Sequence, residues 1–138
     1  MIRKRLAAAV LVALATFACS GPTSPSSNAS ETFSGSVQPN NVGPVHTFNI
    51  ADVGEVNVAI TAITPTGATL GIAYGQATGG GCAVIQRNAV SSANLGKVAL
   101  TAQVTNKGTY CVQVFDPVAL GLPPLIVGEN YTLTVSHP

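Results

Sequence analysis

The sequence predicts an all-β fold, an antiparallel β-sandwich of about eight short strands. Three observations predict it. Apolar and polar residues alternate with a period of two along a series of short runs, which buries one face of each strand and wets the other. Turn chemistry separates those runs: QPNNVGP, DVG, TPTG, TGGG, TNKG and LGLPP supply Gly for positive φ and Pro for fixed φ. No helical stretch follows the N-terminal segment. The inward apolar side chains need a second sheet to cover them, so two packed sheets are expected rather than one.

The strands follow in order. ETFSGSV (31–37) is the first and PVHTFNI (44–50) the second. EVNVAITAI (55–63) sets Val56, Val58 and Ile60 against Asn57, Ala59 and Thr61. ATLGIAY (68–74) places Leu70, Ile72 and Tyr74 on one face. CAVIQ (82–86) is a short fifth strand. KVALTAQV (97–104) sets Val98, Leu100, Ala102 and Val104 inward, and TYCVQVF (109–115) does the same with Tyr110, Val112 and Val114. NYTLTVS (130–136) closes the set, with Tyr131, Leu133 and Val135 inward and Thr132, Thr134 and Ser136 outward.

The N-terminus is expected to be a targeting segment outside the fold. MIRKR supplies a positive region in Arg3, Lys4 and Arg5, and LAAAVLVALATFA (6–18) is an apolar run of export-signal length. Small Ala18 precedes Cys19, and the whole resembles a bacterial lipoprotein signal, with Thr16 where Leu is usual. The resemblance implies that residues 1–18 are removed and that Cys19 becomes the lipidated first residue. An ordinary signal peptide cleaved nearby, leaving Cys19 incidental, is the alternative. Residues 19–30, almost without apolar side chains, read as a flexible tether to a domain at 31–138. The expected location is the cell envelope, membrane-anchored through lipid, or the exterior if Cys19 is not lipidated.

Composition narrows the function. Charged residues make up 8% of the 138-residue chain. Cleavage before Cys19 would leave Arg87, Lys97 and Lys107 against five acidic residues, a net charge near −2. Electrostatic capture of nucleic acid needs clustered Lys and Arg, so no nucleic-acid partner is expected.

FSGSV (33–37), HTFNI (46–50), GEVNVAI (54–60), GTYCVQVFD (108–116) and YTLTV (131–135), in that order, resemble the strands of the bacterial pre-peptidase C-terminal domain. The resemblance spans residues 31–138. It implies a jelly-roll-like β-sandwich in exported proteins, usually appended to secreted hydrolases, with collagen-binding relatives that take calcium. This chain departs from that pattern. No peptidase domain is expected beside it, and ATLGIAY lacks the acidic residues many members place there. A role tied to a linked catalytic domain is therefore not expected, nor is a calcium site.

The residues themselves suggest few sites. Lipidation of Cys19 would leave Cys82 and Cys111 as an even pair, and export preserves disulfides, so a Cys82–Cys111 bridge is expected. His46 occupies an inward slot and should be a packed, hydrogen-bonded histidine. His137, one residue from the end, is expected to be exposed or frayed. Asp52 and Glu55 share a turn. Asp116 and Glu129 flank an apolar loop, and a calcium site at the pair would be short of carboxylates. No G-x-S-x-G elbow, zinc-ligand spacing or acid–base pair occurs, so neither catalysis nor a cofactor is expected.

The loop at 117–128, PVALGLPPLIVG, is more apolar than a solvated loop. Leu120, Leu122, Leu125 and Ile126 either plug the open end of the core or form a contact patch for a protein or glycan partner, with the plug favoured. The expected function is that of a non-catalytic exported lipoprotein, a binding, adhesion or accessory module at the envelope. A structural or assembly component of an envelope complex is the alternative.

Overall fold

A computed structural model describes residues 28–138, which build two four-stranded antiparallel sheets packed face to face. In chain order the strands are β1 (Ala29–Val37), β2 (Val42–Ile50), β3 (Gly54–Thr64), β4 (Thr69–Thr78), β5 (Gly81–Ser91), β6 (Leu100–Val104), β7 (Gly108–Phe115) and β8 (Glu129–His137). One sheet runs β1-β8-β3-β6 and the other β2-β7-β4-β5. All connections but the β4–β5 hairpin cross between the sheets. This is the eight-strand order of a jelly roll, the architecture expected from the strand motifs.

The core lies between the sheets and is filled by the predicted alternation. Val56, Val58 and Ile60 on β3, Leu70 and Ile72 on β4, Val112 and Val114 on β7, and Leu133 and Val135 on β8 are fully buried. Burying each such side chain contributes roughly 1.5–3 kcal/mol. A register shift between Ile60 and Ala62 puts an extra residue into β3 opposite β8. The alternation changes phase there, so Ile63 is buried and Ala62 exposed.

Three boundaries differ from expectation. The tether was expected to run through residue 30, but β1 begins at Ala29, pairing with His137 across the sheet. The Asn28 side chain donates to the Glu55 carbonyl at 3.3 Å and to Ser136 Oγ at 3.4 Å, so polar bonds rather than an apolar side chain fasten the start of this edge. The sixth strand is shorter than expected, and Val98 is 57% exposed instead of inward. The Asn94 carbonyl accepts the Lys97 N–H there, holding residues 94–97 in a turn that keeps Val98 off the sheet. The fifth strand is longer, eleven residues, because it pairs with β4 along that strand's whole length, from Thr69 opposite Ser91 to Thr78 opposite Gly81.

Both faces of β4 are covered, where one wet face was expected. Its outward residues Gly71, Ala73 and Gly75 are buried. The Phe115 ring lies over Gly71, where an added Cβ would meet it at 2.4 Å. Gly75 is the narrower passage: a Cβ there would stand 2.1 Å from the Ala83 carbonyl oxygen. The β5 backbone therefore leans over β4 at a position only glycine allows. A bulge leaves Ile85 without a partner opposite Tyr74 and Gly75, and bends β5 at this point. The bend lets Cys82 on β5 reach past β4 to Cys111 on β7. Their Cα atoms are 5.8 Å apart, and the expected disulfide is formed.

Candidate functional site

The loop from Asp116 to Gly128 is organised by one carboxylate. Asp116 is 2% exposed and accepts three backbone N–H bonds: Asn40 at 2.7 Å, Val118 at 3.0 Å and Leu125 at 3.1 Å. Burial alone would raise its carboxyl. The donors Val118, Asn40 and Leu125 outweigh burial and hold the carboxyl below its usual value. The Val118 bond caps a 3₁₀ turn at Pro117–Leu120, which Gly121 ends in the left-handed region at φ 74°. The Leu125 bond turns the returning chain inward, and Leu125 joins the core.

The loop therefore divides its apolar residues between two roles. Leu125 is buried and plugs the core, and is not available as a partner contact. Leu120 is half-buried. Leu122 and Val127 are exposed, and Ile126 is 95% exposed. An isoleucine this open gains nothing from folding.

Ile126 and Val127 form one lip of a pocket of about 400 Å³. The opposite wall is the β3–β4 turn, Pro65 to Thr69, and Pro123, Pro124 and Leu125 complete the apolar lining. Glu129 is the charged residue of the wall. It is 5% exposed, and its Oε2 has no hydrogen-bond partner among the described residues. Burial raises its carboxyl above the usual glutamate value.

The remaining candidates are dispersed. His46 is packed as expected, its ring stacked on Phe33 with centroids 5.0 Å apart and its Nε2 3.0 Å from the Tyr131 hydroxyl. Burial lowers its pKa. His137 is neither exposed nor frayed: it is 4% exposed, 3.0 Å from Glu31 Oε1 and 5.1 Å from the Phe48 ring centroid. Its position at the end of β8, paired with β1, carries it under the sheet. Asp52 pairs with Lys107 at 3.1 Å, and Glu55 accepts from Asn57 at 2.7 Å and Gln103 at 3.3 Å. Cys19 lies outside the described residues. Among the described residues, no three His, Cys, Asp or Glu side chains gather into a metal-binding group.

Sequence reasoning found the apolar loop but missed the pocket's second wall and the burial of Glu129. A signal for Glu129 was present. It shares parity with Tyr131, Leu133, Val135 and His137, all of them inward. No protein-family model matches the chain, and no curated protein matches it.

Proposed function

We propose that this protein is a non-catalytic ligand-binding module, held at the bacterial cell envelope by lipid on Cys19, with the pocket beside Glu129 as its binding site. The observation that carries the reading is the pocket itself: apolar walls, an exposed Ile126 at the lip and one buried carboxyl without a partner. Pockets of this size and lining are the usual form of a small-ligand site. The jelly-roll order supports kinship with the pre-peptidase C-terminal domain, whose strand motifs the sequence resembles. The two histidines are engaged away from the pocket, His46 with Tyr131 and His137 with Glu31.

Ile126→Asn tests the site. The side chain is almost fully solvated, so the melting temperature should hold, while retention of ligand from envelope extract on immobilised protein should be lost. Unchanged retention would place the site elsewhere. Cys19→Ser tests the anchor, and should move the protein from the membrane to the soluble fraction.

A second reading, a component that assembles with copies or neighbours, is favoured by β5. Residues 83–88 of this edge strand are exposed, Ile85 by 66%. Unpaired edges of this length invite strand addition. Concentration-dependent self-association in sedimentation would support it, and a monomer at high concentration would exclude self-pairing.

A further inference from the structure

The charge inventory bears on what the pocket binds, if it is the ligand site proposed above. A buried carboxylate without a partner is costly, and such groups are normally paired with a cation. The domain has three basic side chains for this purpose, and each is committed elsewhere. Lys107 is on Asp52 at 3.1 Å, Lys97 on Asn94 Oδ1 at 3.2 Å, and the Arg87 guanidinium lies 5.8 Å from the Phe115 ring centroid. Neither histidine lines the pocket. Glu129 is thus left as an uncompensated negative group in an apolar wall.

We infer that the pocket takes an aliphatic primary ammonium ion, its alkyl chain against Pro65, Ala68, Pro123 and Leu125 and its head on Glu129. An ammonium is a compact charge with three donors, suited to a single carboxyl. A divalent metal ion fits less well, because it asks for several oxygen or nitrogen ligands and the pocket wall has one carboxylate. The apolar lining rewards a chain of methylenes, which a bare hydrated ion lacks.

Three probes of equal chain length separate this inference from the pocket reading on which it rests: hexylammonium, 1-hexanol and hexanoate, each titrated into the exported protein and followed by amide NMR shifts. The expected result is a saturable shift at Ala68, Leu125 and Val127, with hexylammonium binding at least tenfold more tightly than 1-hexanol and hexanoate not binding. Glu129→Gln should remove the preference for hexylammonium and leave the 1-hexanol affinity unchanged. Equal affinity of hexylammonium and 1-hexanol for the unaltered protein would overturn the ammonium assignment and leave the pocket standing. No shift at these amides with any probe would overturn both. The comparison of probes on the unaltered protein decides the matter even if Glu129→Gln does not fold.

Discussion

Asp116 and Glu129 flank the same loop and are both buried, yet their surroundings give them opposite effects. Asp116 is held ionised by three N–H donors and fastens the loop to the core. Asp116→Ala would strand the buried Leu125 N–H and release the others, at a cost of about 1–3 kcal/mol for each donor left unsatisfied. Urea denaturation should show a lower midpoint at unchanged slope. Because its folded pKa is lowered, the contribution of Asp116 is complete above the ordinary aspartate value and is lost as pH falls through the folded value. Glu129 has the reverse sign. Its raised pKa means that the folded state holds the proton more tightly, so its favourable contribution is complete below 4.5 and disappears as pH rises through the folded value. Ionising the buried side chain is a burden, so Glu129→Gln should raise the neutral melting temperature. The gain should shrink to nothing in melts run below pH 4.5. A neutral melt unchanged by the substitution would mean that water already satisfies the carboxyl.

At the scale of the element, legibility tracked burial on one face. β8 alternates cleanly and β3 does so as far as its bulge, while on β7 Tyr110, Val112 and Val114 are buried as expected beside buried Cys111 and Phe115. The same parity extends along β8 to Glu129 and His137, where polarity and nearness to the terminus masked it. β5 was underestimated because residues 83–88 are exposed on both faces, which leaves no alternation to detect. The passage of β5 over Gly75 was not readable either, because a glycine inside a strand signals close approach without naming what approaches. That crossing is what brings Cys82 to Cys111. Gly75→Val should push β5 outward and separate the two sulfurs. Intact-mass analysis should find free thiols in the variant, and its stability should fall by more than the bridge alone provides. The bridge spans 29 residues and contributes roughly 3–4 kcal/mol in the chain-entropy model, the loss expected for Cys82→Ala with Cys111→Ala. A Gly75→Val protein with a complete disulfide would show that β5 can reach β7 by another path.

Over the whole molecule, two packed sheets followed from patterning alone, whereas the order of strands within them did not. Periodicity shows which face of a strand is buried and is silent on which strand lies beside it; the jelly-roll order was legible only through the sequence of strand motifs. The distribution of charge has a further consequence at this scale. Relatives of the resembled family bind calcium, so a calcium site is the natural alternative to an organic cation. The carboxylates are spread across the sandwich, and four of the five have partners. Glu31 meets His137, Asp52 meets Lys107, Glu55 accepts from Asn57 and Gln103, and Asp116 is filled by backbone N–H groups. Only Glu129 is left, and calcium takes six to eight oxygens, usually with several carboxylates among them. Thermal melts in millimolar calcium and in chelator should therefore coincide. A site filled to a hundred times its dissociation constant would add about 2.7 kcal/mol, a rise of several degrees for a domain near this size. Such a rise, if lost in Glu129→Gln, would replace the ammonium with a metal ion ligated mainly by the carbonyls of the surrounding loops. If it persisted in that variant, it would require a site that draws a second carboxylate away from its present partner.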